Sequence, residues 1–137
     1  MILLDTCALL WLVAGHAPRA GVMEAVEAAR GEDAVLVSPI SAWEIAQKEK
    51  KRPGARGLTA PALSVFQRIA DQPGVRVAPL TPEILTSSVA LEGFGTDDPV
   101  DRMIVATALV YGARLLTADA RMLAYPAVST VDYGRPG

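Results

Sequence analysis

The stretch MILLDTCALLWLVAG, residues 1–15, decides the fold. Met1–Leu4 is a short apolar run, the pattern of a strand covered on both faces. Asp5 ends it. Thr6 to Ala14 then reads as a helix, stopped by Gly15. The alternation continues outward. A second helix spans Arg19–Arg30, and Ala34–Val37 is a second apolar strand. Ser38-Pro39 supplies an N-cap with proline at the first helical position and opens a helix through about Lys50. Lys51–Thr59 is basic and carries Pro53, Gly54 and Gly57, so it reads as a loop. Pro61–Ala70 is helical, and Val75–Ala78 is a third strand. Thr81-Pro82 starts a helix to about Leu91, and Asp98-Pro99 starts another to about Tyr111, closed by Gly112. Arg114–Leu116 is a fourth strand, Asp119–Leu123 a short helix and Ala127–Thr130 a short fifth strand.

Strands alternating with helices predict an α/β fold with a mostly parallel central sheet of four to five strands. Residues 1–132 read as one domain, followed by a loose tail over Tyr133–Gly137. In such folds a ligand site lies outside the carboxyl ends of the strands.

Composition narrows the function. The chain has 137 residues, 51% hydrophobic and 20% charged, which excludes intrinsic disorder. One cysteine, Cys7, and one histidine, His16, exclude a disulfide scaffold and a Cys/His zinc site. Thirteen basic against fifteen acidic residues argue against nucleic-acid binding driven by bulk charge, but leave room for a local basic patch. Asp5 interrupts the apolar start and no basic residue precedes it, so neither a signal peptide nor a membrane span is expected. The expected location is the cytoplasm, with no membrane partner.

Four acids stand where a strand-end site would be: Asp5 after the first strand, Glu44 in the helix after the second, Asp101 before the fourth and Asp119 after it. Each has a plainer reading. Asp5, Asp98 and Asp119 can cap helices, and Glu44 can be a solvated helix residue. Helical phase weighs against the plain reading of Asp101, because Ile104, Val105 and Ala108 share its stripe. Asp5 is likewise in phase with Ala8, Leu9 and Leu12. Buried, clustered carboxylates repel one another and protonate unless a cation compensates them. Oxygen-only ligation points to Mg²⁺, or Mn²⁺, and so to metal-assisted phosphodiester hydrolysis.

At this point the motifs resemble a known family. LLDTCALLW at Leu3–Trp11, SPISAWEIAQK at Ser38–Lys48, DPVDRMIVATAL at Asp98–Leu109 and LLTAD at Leu115–Asp119 are similar, in order and spacing, to the four motifs of PIN-domain nucleases of the VapC toxin type. The resemblance runs from Met1 to about Val131. It implies a three-layer α/β/α sandwich and a catalytic, metal-binding quartet of Asp5, Glu44, Asp101 and Asp119, with Asp98 as auxiliary acid. Thr6, Ser38 and Thr117 would lie near the site. It also implies Mg²⁺-dependent cleavage of RNA, such as transfer or ribosomal RNA, a cognate antitoxin and toxin dimers. Relatives often carry a histidine where this chain has Thr96. Alternative readings are a PIN ribonuclease for RNA processing outside any toxin pair, or an inactive PIN scaffold that acts by binding.

Lys48, Lys50, Lys51, Arg52 and Arg56 place five of the thirteen basic residues within nine positions. They read as cations favoured at a helix C-terminus, as a phosphate-binding strip for RNA, or as both. Arg102 reads as a salt-bridge partner for a quartet acid, or else as a phosphate contact. Trp11 and Trp43 read as core or partner-interface residues, Cys7 as a small buried hydrophobe and His16 as a surface loop residue.

Overall fold

The computed structural model describes residues 1–54 and 60–135. Its centre is β1 (Ile2–Leu4), whose three residues are buried on both faces. The chain then runs α1 (Thr6–Ala14), α2 (Val22–Gly31), β2 (Val35–Val37), α3 (Pro39–Lys51), α4 (Ala62–Ala70), β3 (Val75–Val77) and α5 (Pro82–Ala90). It ends with α6 (Pro99–Tyr111), β4 (Arg114–Thr117), α7 (Ala120–Leu123) and β5 (Thr130–Asp132). The five strands form one all-parallel sheet in the order β3-β2-β1-β4-β5.

Strand alternation divides the core into two layers. Ile2, Leu4, Val35, Val37 and Leu116 pack with Ala8 and Leu9 of α1, Val26 of α2 and Phe66 of α4. Leu3, Leu36 and Leu115 point the other way, onto Ile104, Val105 and Ala108 of α6. Helices on both faces of a parallel sheet make the three-layer α/β/α sandwich. Each fully buried Leu, Ile or Val contributes about 1.5–3 kcal/mol, so the central strands hold much of the stability. Gly74, with φ of 83°, turns the chain into β3 where a Cβ would stand 2.2 Å from the Arg30 carbonyl oxygen. No helix among the described residues is long and apolar enough to cross a membrane.

Strand order reverses at β1, which has β2 on one side and β4 on the other. Leu4 is in register with both Val37 and Leu116. The carboxyl ends of β1 and β4 therefore stand side by side at the switch point, where open α/β sheets form their ligand crevice.

Two expectations need correction. The fifth strand is Thr130–Asp132, not Ala127–Thr130. Val128 is buried in the core instead, and the true edge strand is half-buried and partly polar, so its apolar signal is weak. The tail is not loose from Tyr133. That side chain is fully buried, its N–H donates to the Thr117 carbonyl at 2.8 Å and its hydroxyl to the His16 carbonyl at 2.6 Å. Its ring lies 5.1 Å from that of Trp11.

Candidate functional site

Asp5 stands directly after β1, and Asp119 two residues after β4. Parallel pairing of β1 with β4 brings these ends together, and the Asp5 N–H extends the ladder to the Leu116 carbonyl at 3.1 Å. Glu44 arrives from α3, and Asp98 and Asp101 from the start of α6. All five acids line one cavity of about 350 Å³, together with Thr6, Cys7, Trp11, Lys48, Arg121 and Arg135.

Asp5 is the anchor of this wall. It is 5% exposed. Its Oδ1 accepts from the Ala8 N–H at 2.7 Å, which caps α1, and its Oδ2 accepts from the Thr117 hydroxyl at 2.5 Å. Thr117 is fully buried and also accepts the Asp119 N–H at 3.0 Å, so one hydroxyl positions two of the acids. Burial pushes the Asp5 carboxyl up to about 6, against the lowering effect of its hydrogen bonds, with Asp119 and Glu44 adding repulsion. Asp101 is also pushed up to about 6, first by burial and then by Asp98, Asp119 and Glu44.

The plain and the functional readings of these acids turn out to coexist. Asp5, Asp98 and Asp119 are all helix N-caps. Asp98 Oδ1 accepts from the N–H groups of Val100 and Asp101, and Asp119 Oδ1 from those of Arg121 and Met122. Capping orients each carboxylate and fixes one oxygen on the backbone. Basic side chains touch the rim. Lys48 Nζ is 3.4 Å from Glu44, and Arg121 Nε is 4.0 Å from Asp119.

The remaining sequence candidates fall in several places. Thr6 lines the cavity and shares a 2.9 Å hydrogen bond with the buried Ser41 on α3. Ser38 caps α3 through the Ile40 N–H and is fully buried outside the cavity lining. Lys48 lines the cavity, whereas Lys50, Lys51 and Arg52 are exposed around the end of α3. Arg56 lies outside the described residues. Thr96 stands outside the lining, where its hydroxyl accepts from the Asp98 N–H at 3.1 Å. His16 is exposed.

Arg102 is neither of the things expected of it. Its guanidinium donates to the carbonyls of Ser88, Leu91 and Thr96 at 2.8, 2.7 and 3.0 Å, and more weakly to Val89 at 3.3 Å. One residue along a helix turns a side chain by about 100°, so it points away from Asp101 and staples α5 and the following loop to α6. Cys7 is exposed, not buried, because the outward side of α1 opens onto the cavity. Trp43 is 53% exposed and is no core residue. Sequence reasoning missed Ser41, Arg121 and Arg135. Ser41 stands three residues before Glu44 and Arg121 two after Asp119, spacings that could have pointed to them. Arg135 has no local signal.

The donor set suits a hard divalent cation. It consists of carboxylate oxygens, two of the carboxyls are held far above their ordinary range, and a bound cation would reverse that penalty. Among the described residues no group of three or more His, Cys, Asp or Glu stands as a ready-made metal cage. Mg²⁺ needs none, since it is held by one or two carboxylates with waters and substrate phosphates.

Comparisons with known proteins agree with this architecture. The PIN domain family matches residues 2–128. The chain is 35% identical over 124 residues to Ribonuclease VapC22 of Mycobacterium tuberculosis, covering 88% of each. Its fold is similar to that in the structure of VapBC2 from Rickettsia felis bound to a DNA fragment from its promoter, with a TM-score of 0.70 at 14% identity over 98% of this chain and 100% of that one. It is also similar to the toxin-antitoxin complex from Klebsiella pneumoniae, with a TM-score of 0.61 at 24% identity over 95% and 97% of the two chains. A fold, a cavity and a sequence match that coincide over nearly the whole chain lead to one conclusion: this chain belongs to the PIN domain family.

Proposed function

We propose that the protein is a divalent-metal-dependent endoribonuclease and the toxin of a toxin–antitoxin pair. The observation that carries the reading is the convergence of Asp5, Glu44, Asp101 and Asp119, from four separate segments, on one cavity wall. A metal there would be held by Asp5, Glu44 and Asp101, directly or through water, with Asp119 ligating it, holding a second ion or orienting the attacking water, and Asp98 in support. When bound, a Mg²⁺ or Mn²⁺ ion supplies Lewis acidity toward the scissile phosphate and lowers the pKa of water.

The chain's own groups do the rest. Thr117 and the Ala8 N–H hold the Asp5 carboxylate in one orientation. Carboxylates at the cavity wall can accept the proton of the attacking water. Lys48, Arg121 and Arg135 at the rim balance the phosphates of a polyanion drawn toward an acidic pocket. His16 is the one histidine of the sequence, so the route through two histidines and a 2′,3′-cyclic phosphate is closed. Hydrolysis leaves a 5′-phosphate and a 3′-hydroxyl.

The toxin role is supported by the likeness to VapC22 and by structural neighbours described as toxin–antitoxin complexes. The test is cleavage of total cellular RNA by purified protein. Discrete fragments that require Mg²⁺, vanish with EDTA and vanish in Asp5→Asn are expected. Equal cleavage by wild type and variant would overturn the site, and silence of both would favour a binding scaffold. Copurification with the product of a small adjacent reading frame tests the toxin role.

A further inference from the structure

A second cavity, of about 410 Å³, adjoins the first and shares Glu44, Lys48 and Asp98 with it. Helix α3 divides its side chains between the two. Glu44 and Lys48, four residues apart, form the row on the shared wall. Trp43, Gln47 and Lys51 form the next row, at i, i+4 and i+8, and all three line the second cavity. That row is an aromatic face, an amide and a cation in line. Trp43 is 53% exposed in the folded chain. A large apolar ring held in water beside two lysines is the combination that binds single-stranded nucleic acid, with the base on the ring and the phosphates on the cations. The acids at the shared wall do not close the groove to a polyanion. Asp98 spends Oδ1 on the α6 N-terminus and Glu44 is paired with Lys48.

We infer that the groove is a nucleotide subsite in which Trp43 stacks on a base flanking the scissile phosphate, Gln47 faces that base's edge, and Lys51 holds the adjoining backbone. The inference rests on the ribonuclease reading. The volume lies in the range of ordinary ligand pockets, and the three residues shared with the acid cavity make the groove continuous with the site of the cut.

The test uses full-length protein and fluorescently labelled, random-sequence single-stranded RNA. Binding is measured in the Asp5→Asn background, and cleavage in the wild-type background. Trp43→Ala is expected to weaken binding about tenfold or more, and Trp43→Phe to stay within about threefold of the parent. In cleavage, Trp43→Ala is expected to act on KM with little change in kcat, and to leave Mn²⁺ affinity unaltered. RNA affinity equal in Trp43→Ala and its parent overturns the subsite while leaving the ribonuclease reading intact. The same holds if Trp43→Ala alters only the sedimentation of the protein, which would make the groove a contact between copies. If the wild type shows no metal-dependent cleavage and Asp5→Asn binds no RNA, the ribonuclease reading falls and the subsite with it.

Discussion

The Thr117 hydroxyl at the end of β4 donates to the Asp5 carboxylate at the end of β1, across 112 positions of sequence. Both groups are buried, and the same hydroxyl accepts the Asp119 N–H. The bond therefore ties two strand ends and two acids into one rigid corner. A carboxylate that the sheet itself positions needs no reorganisation when a cation arrives, which is the use of mounting a site on strands.

Thr117→Val keeps the shape and removes the donor. The Asp5 Oδ2 and the Asp119 N–H then lose a buried partner, a loss of about 1–3 kcal/mol. Thermal denaturation should show that loss, and RNA cleavage should fall about tenfold or more. Thr117→Ser should restore most of both.

Stability of the metal-free protein should fall as pH rises from about 4 to about 6. Asp5 and Asp101 ionise near 6 in the folded chain against 3.8 ordinarily. Across that window the folded chain binds more protons than the unfolded one, so raising pH favours unfolding, and the slope flattens above the folded values. Calorimetry in EDTA reads this directly, and Asp5→Asn should remove the Asp5 share. Added Mg²⁺ should raise Tm above pH 6 and do little near pH 4.

Arg102→Ala should cost stability and spare the metal site. Its guanidinium satisfies carbonyls at the C-terminus of α5 and in the loop beyond. Losing charge-assisted bonds to several part-buried carbonyls costs about 1.5–3 kcal/mol. Denaturant unfolding should report it, with Mn²⁺ affinity kept within about threefold of wild type. A large loss of metal affinity at unchanged stability would restore the salt-bridge reading.

Tyr133 predicts that the C-terminal boundary lies beyond β5. Tyr133→Ala empties a fully buried site and should destabilise the fold by about 3–5 kcal/mol. Tyr133→Phe, which loses only the bond to the His16 carbonyl, should cost about 1 kcal/mol.

These outcomes track what the sequence could and could not express. β1 and β2 were legible because strands buried on both faces read as unbroken apolar runs, β4 through its Leu115-Leu116 pair, and α1 and α6 because Asp5, Gly15, Asp98 and Gly112 mark their ends. β5 was not, since Thr130 and Asp132 leave it a single apolar residue, whereas β3, the other edge strand, alternates Val75 and Val77 around Arg76. Helical phase marked Asp5 and Asp101, the latter with Ile104 and Val105 buried on its stripe, whereas Glu44, Asp98 and Asp119 were marked by their places at strand ends and in the motifs. Arg102 was misread because adjacency in sequence says nothing of the turn that carries its side chain toward α5. Tyr133 comes to the core and Arg135 to the cavity rim through tertiary packing alone, which no local pattern encodes. Trp43 could have been kept out of the core on sequence alone, because Gln47 and Lys51 on its row already mark a solvent-facing stripe.

The most direct measurement is Mn²⁺ binding followed by electron paramagnetic resonance at neutral pH, on the wild type and on Asp5→Asn, Glu44→Gln, Asp101→Asn and Asp119→Asn. The account predicts saturable binding at the wild-type site, weakened about tenfold or more in Asp5→Asn and measurably in the others, with Mg²⁺ displacing the signal. Binding of equal strength in the wild type and all four variants would contradict it, because the acids would then share a cavity without sharing a cation.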